Sequence, residues 1–199
     1  MSRKDNTKEI ILAVATRLFN RFGFYKTSMD EIAKIAHKAK GSLYYHFASK
    51  EDLFREIVSI ETASIKEQLI PILNDPTLNE YMRIQKYLTT RMEVIDKAFT
   101  YHQALKTVFV QHYDDISASF LSDIFKDFEN WEHEQISAIL IAGKNKNEMP
   151  KNTDVNAFAD MLMFILQSLD IPFFIKGQYK QYAPTFLLFI QYITEKMNK

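Results

Sequence analysis

Along most of the chain, apolar residues recur three and four positions apart, the repeat of a helix with one buried face. Ile10, Ile11, Val14, Ala15, Leu18, Phe19 and Phe22 predict a first helix over 6–22, with Gly23 as its stop. Met29, Ile32, Ala33 and Ala36 predict a short second helix. Ser28 with Glu31 forms a capping box at its start, and Thr27 with Asp30 fits a looser form. A third helix begins at Lys40 and sets Leu43 and Phe47 four apart on one face. The fourth opens at Ser49, with Asp52 three residues later, and runs to about Ile70. After a break at 73–77, Thr77 and Glu80 predict the cap of a fifth helix that reaches Lys97. Further helices are predicted over 101–112, over 116–142 up to Gly143, over 155–176 up to Gly177, and from Tyr179 or Pro184 to Met197. Thr153 or Asp154 caps the eighth, which Pro172 kinks near its end. The sum is an all-α chain of about nine helices.

Composition supports this. Four Gly and five Pro among 199 residues leave few turns, hence few and long elements. There is no Cys, so disulfides and thiolate metal sites are excluded. The start, Met1 to Asn6, is polar and shows no signal peptide, so the expected compartment is the cytoplasm.

Charge changes the picture more. The chain is neutral overall, yet residues 1–50 hold ten Lys/Arg against four acids, a net of +6, and the remainder carries −6. A basic head on an acidic body suits a polyanion-binding module. The run Lys40-Gly41-Ser42-Leu43-Tyr44-Tyr45-His46-Phe47 concentrates the relevant chemistry. Leu43 and Phe47 pack inward, while Lys40, Ser42, Tyr44 and His46 carry donors outward. With the preceding short helix it reads as a helix-turn-helix whose second member enters the DNA major groove.

Thr27-Ser28, Ile32-Ala33, Ala36, the run Lys40 to Phe47, and Ser49-Lys50-Glu51-Asp52-Leu53 together resemble the DNA-binding domain of the TetR family of transcriptional regulators. The resemblance covers about residues 8–55. It implies an N-terminal three-helix helix-turn-helix domain, 1–48, and a larger helical ligand-binding and dimerisation domain, 49–199. It further implies a ligand-responsive regulator, usually a repressor, that binds a palindromic operator as a homodimer through its last two helices and is released by a mainly hydrophobic small molecule. Lys40, Gly41, Ser42, Tyr44 and Tyr45 would face the groove. Thr27, His46, Lys50 and Tyr45 would hold phosphates, with Ser28 beside them. Where the family has Gly-Val-Ser, this chain has His37-Lys38-Ala39. His is among the non-glycine residues that tolerate positive φ, and Ala39 leaves the third helix without a side-chain cap.

The body is rich in aromatic and Met side chains. Tyr87, Met92, Phe109, Phe125, Phe128, Trp131, Phe158, Met161 and Phe164 are candidates to line the implied pocket, although ordinary core packing accounts for any one of them alone. Glu93, Asp96, Asp123, Asp127 and Glu129 outnumber nearby bases, which favours a cationic over an anionic ligand. The last two helices are apolar on more than one face, so they need cover on more than one side. Asp160, Gln167, Ser168, Asp170 and Pro172 argue against a membrane span there. Leu187, Phe189 and Ile190 are expected on the outer face. Glu129 and His133 have metal-pair spacing, but a lone pair is weak; no metal, cofactor or catalytic constellation is expected.

Overall fold

The computed structural model describes residues 3–109 and 120–197. Among them the elements are α1 (Arg3–Phe22), α2 (Met29–Ile35), α3 (Lys40–His46), α4 (Lys50–Leu73), α5 (Glu80–Lys97), α6 (Phe99–Phe109), α7 (Ser122–Asn145), α8 (Val155–Asp170), a π-helical turn (Ile171–Ile175) and α9 (Tyr179–Met197). The expected ends of the sixth helix at 112 and start of the seventh at 116 lie outside the described residues.

The chain forms two compact units, Met1–Thr62 with Phe99–Ile124, and Ala63–Ala98 with Phe125–Lys199. In the first, α1 packs on α2 and α6, and α2 on α3. Ile11, Ala15, Phe19, Ile32, Leu43, Leu53 and Phe54 form its core. Phe54 meets Phe19 edge-on at 4.9 Å and Phe24 at 5.0 Å, and Phe24 meets Phe120 at 5.4 Å. Offset and edge-on aromatic pairs add about 0.5–1.5 kcal/mol each beyond their burial. In the second unit, α5 packs against α9 and the π turn, with Ile84, Leu88, Ile95, Leu140, Leu166 and Ile190 inside.

Several helix ends differ from expectation for local reasons. Thr77 does not cap α5; its N–H and hydroxyl donate to Asp75 in a turn, and Asn79 caps instead, accepting from the Met82 N–H at 2.8 Å. Helix α4 continues past Ile70 with Pro71 inside it. Gly143 does not end α7. It sits within the helix, where a Cβ would come to 3.3 Å from both Glu80 Cβ and Met149 Sδ, so it permits close packing. The reversal falls later, at Asn147 with φ +58°. Pro172 yields a π turn rather than a simple kink. Pro removes an N–H from the ladder, and π geometry is one way to absorb that.

Candidate nucleic-acid interface and effector region

Helix α3 is seven residues long and is held from its inner side. Leu43 is fully buried and Phe47 nearly so; each such side chain contributes about 1.5–3 kcal/mol by leaving water. The outer side presents Lys40, Gly41, Tyr44 and Tyr45 exposed, with Ser42 and His46 half-buried. Tyr45 is 65% exposed, with its ring edge-on to His46 at 5.2 Å. No atom lies within 4 Å of where a Gly41 Cβ would stand.

Helix α2 orients α3. At its start the capping box is complete: the Ser28 hydroxyl accepts from the Glu31 N–H at 3.2 Å, and the Glu31 carboxylate accepts from the Ser28 N–H at 2.9 Å. The Ser28 N–H, and then its hydroxyl, hold the Glu31 carboxyl below its usual range. At its end, the Lys38 N–H donates to Ala33 O at 3.0 Å and the His37 N–H to Lys34 O at 3.2 Å. That is a Schellman motif, with His37 at φ +51° in the place glycine favours. A non-glycine residue there costs roughly 1–2 kcal/mol. Ala39 then begins α3 with no side-chain hydrogen bond. Ala39→Ser should raise stability by about 1 kcal/mol, read as a shift in denaturation midpoint; no gain would mean that the α3 amides have another partner.

The structure thus gathers Lys40, Gly41, Ser42, Tyr44, Tyr45 and His46 on one short helix, with Ser28 exposed at the head of α2. Two candidates are placed differently. Thr27 is 3% exposed and its hydroxyl donates to Gly23 O at 2.9 Å, so its side chain secures the turn instead of facing outward. Lys50 is tethered: its ammonium donates to Phe24 O at 3.1 Å and lies 4.2 Å over the Phe24 ring. Lys40 pairs with Asp30 at 2.8 Å, and that hydrogen bond and charge raise its pKa. Periodicity alone could not reveal this pair, which joins two helices. A polar groove of about 290 Å³ in the same unit is lined by Arg21, Lys26, Gln103 and Lys106 among others and extends the basic surface.

In the second unit, Tyr87, Met92, Phe125 and Phe128 are buried, and Trp131 and Phe158 half-buried. Met161 and Phe164 are corrected: 58% and 66% exposed, they lie on the outer side of α8, because α8 turns Val155, Ala159, Leu162, Leu166 and Asp170 inward. The Phe109 side chain lies outside the described residues. His133 pairs with Asp160 at 2.9 Å, not with Glu129, and among the described residues no group of three or more His, Cys, Asp or Glu could hold a metal ion.

A buried polar cluster was missed from sequence. Arg91, 1% exposed, grips Glu132 through two bonds of 2.7 and 2.9 Å. Tyr87 donates to the same carboxylate at 3.0 Å. Asp170 lies 3.7 Å from Arg91, and its Oδ1 has no hydrogen bond. Burial pushes the Asp170 carboxyl up to about 7; the Arg91 charge opposes this, and Glu132 and Glu129 add to it. Burial and Glu132 also raise the Glu129 carboxyl. A signal existed: Arg91, Glu132 and Asp170 each sit on the apolar stripe of their own helix.

A helix-turn-helix with a donor-bearing, exposed second helix is the arrangement that reads a DNA major groove. Residues 11–57 match the model of the bacterial regulatory proteins of the tetR family. The chain is similar to the HTH-type transcriptional regulator QacR of Staphylococcus aureus, 48% identical over 63 residues, covering 32% of this chain and 34% of that one. It is 30% identical over 132 residues to the regulator AcrR of Shigella flexneri, covering 56% and 61%. The chain therefore spans between about a third and three fifths of the length of these relatives. Among solved structures, a transcriptional regulator from Cytophaga hutchinsonii shares the fold at TM-score 0.74 and 21% identity, covering 96% of this chain and 98% of that one. A SmeT–triclosan complex does so at 0.69 and 15%, covering 87% and 82%.

Proposed function

We propose that the chain is a ligand-responsive repressor that binds a palindromic operator as a homodimer in the cytoplasm and is released by a mainly hydrophobic small molecule. Its part is binding, not catalysis; the relatives above are named as transcriptional regulators. Residues 1–48 would be the reading head and 49–199 the sensing and pairing body. The observation that carries the reading is Gly41. A glycine inside a helix costs about 0.5–1 kcal/mol relative to alanine. Its φ does not require glycine, and nothing in the protein occupies the space of its Cβ. The bare position serves something outside the chain, and a base edge or thymine methyl brought close to the helix fits.

Gly41→Ala tests this. The variant should be as stable as the parent or more so, yet bind its operator at least about tenfold more weakly, a loss of about 1.4 kcal/mol. Undiminished binding would remove Gly41 from the interface. Tyr44→Ala should reduce the preference for operator over random DNA. Lys50→Ala should instead weaken both alike and flatten the salt dependence; the Lys50 ammonium keeps donors beyond the one used on Phe24. For the sensing body, the SmeT–triclosan complex supports an apolar effector in a related fold. Helix α4 carries residues of both compact units in one rod, so a ligand that prefers one setting of α4 would shift the DNA-binding population by that preference.

A further inference from the structure

In the first compact unit a polar groove of about 290 Å³ opens between the end of α1, the turn that follows it, and α6. Three cations line it: Arg21 of α1, Lys26 of the turn and Lys106 of α6. Among the described residues no acid lines the groove, and none of the three cations has an ion pair. Gathering like charges in one cleft costs energy in the folded head. A cleft lined by one sign of charge also focuses its field and concentrates counter-ions.

The walls of the groove are fixed. Helix α1 packs on α6, and the Thr100 hydroxyl donates to Asn20 Oδ1 at 3.2 Å across that contact. The Arg21 guanidinium carbon lies 5.0 Å from the centre of the Phe22 ring, a contact that steadies the charge without using its N–H donors. Lys106 and Gln103 are half-buried and Thr107 is buried, so the α6 side forms a recess and not an open face. Gln103 brings an amide with two further donors.

This donor set is suited to oxyanions. A guanidinium fork takes two phosphate oxygens at once, and ammonium groups answer the remaining charge. The groove stands at the small end of ligand pockets, which run about 300–1,000 Å³. A phosphoryl group on a small body fits such a space, whereas an apolar effector gains little from it. No residue of α3 lines the groove, so it is separate from the helix that presents Lys40 to His46.

We infer that the groove between α1 and α6 binds a small phosphorylated anion, with Arg21, Lys26 and Lys106 around the phosphoryl oxygens. It shares no residue with the effector candidates, so it does not depend on the effector reading. A bound anion joins cations of the α1 side to one of α6, and so strengthens the contact that holds α6 to the head.

The probe is inorganic pyrophosphate, titrated into the full-length protein by calorimetry against sodium chloride of matched ionic strength. Pyrophosphate should bind saturably, one per chain, and raise the melting temperature; chloride should do neither. Arg21→Gln and Lys106→Gln should each weaken binding at least about tenfold, and Lys106→Arg should keep it. Lys34→Gln removes an exposed cation of α2 outside the groove and should change nothing. Absence of saturable binding overturns the inference. So does a loss with Lys34→Gln as large as that with Lys106→Gln, which would mark a diffuse charge effect. The same variants are titrated with duplex DNA of random sequence at fixed salt, where affinity should hold within about twofold. Variants that lose duplex binding as steeply as pyrophosphate binding would make these cations part of the DNA surface and defeat the small-anion site. Failure of the operator reading, by contrast, would leave pyrophosphate binding as it is.

Discussion

Arg91→Met should be the most damaging single change in the body, lowering stability by about 3–5 kcal/mol, the range for stripping one partner from a buried ion pair. Arg91 makes two bonds to Glu132 and approaches Asp170, and all three are nearly inaccessible to water. Without the guanidinium, two buried carboxyls have no cation, and Tyr87 alone still donates to Glu132. Adding Glu132→Leu to Arg91→Met should recover much of the loss, since an apolar pair can replace a buried ionic one at little cost. Denaturant midpoints of parent, single and double variants decide; a loss under about 1 kcal/mol for the single variant would show that water reaches the cluster. The same titration has a signature in pH. The Asp170 carboxyl titrates at about 7 in the folded chain against 3.8 for the ordinary group. Between those values the folded state holds a proton that the unfolded state has lost. Asp170 therefore contributes its full stability below about pH 4, and this contribution falls as pH rises through 7, by up to about 1.4 kcal/mol per pH unit. Asp170→Asn should remove that slope.

Leu188→Glu should leave the fold intact and abolish operator binding, with sedimentation at the mass of a single chain. Leu188 is 66% exposed, and Leu187, Phe189 and Tyr192 share its exposed surface on α9. Met161, Phe164 and Ile171 show the same on α8 and the π turn. An open groove of about 580 Å³, lined by Ile165, Leu169, Pro172, Tyr182, Phe186 and Phe189, belongs to this face. An apolar area of this kind is unusual for a surface left in water, and in the proposed homodimer a second copy of the same face would cover it as an isologous contact. The segment Val155–Ile175 is also long and apolar enough to cross a membrane by length and composition, with mean hydropathy 1.6, but it carries Asp160 and the buried Asp170. Ile190→Glu is the instructive contrast. The sequence reading put Ile190 on the outer face, whereas it is 1% exposed. Phe186, Ile190 and Thr194 recur every four residues along the inner side of α9. A charge at 190 should unfold the body, while one at 188 should only separate the copies of the proposed homodimer. Leu188→Glu chains that still sediment as dimers would move the contact elsewhere.

How much of this was legible depends on what each feature rests on. Helix α1, the capping box of α2 and the uncapped start of α3 are local, and local pattern revealed them. His37 at positive φ was legible through the resemblance, whose family has Gly at that place. The side of α9 was harder, because a helix apolar all round gives no direction to its moment. Met161 and Phe164 were drawn into the pocket for the same reason. The Arg91 cluster joins α5, α7 and the end of α8, and no periodicity within one helix shows that three charges on three apolar stripes will meet.

The Schellman turn, the missing cap at Ala39 and the two inner anchors of α3 have one joint consequence. A seven-residue helix does not persist in water by itself, so α3 exists because Leu43 and Phe47 pin it to its neighbours. Folding then places few demands on Gly41, Ser42, Tyr44 and Tyr45. Their identities are free to drift or to be rewritten without unfolding the head. If α3 reads an operator as proposed, a lineage could retarget the protein to new promoters by changing a handful of outward side chains, and an engineer could transplant another operator's preference onto the same frame.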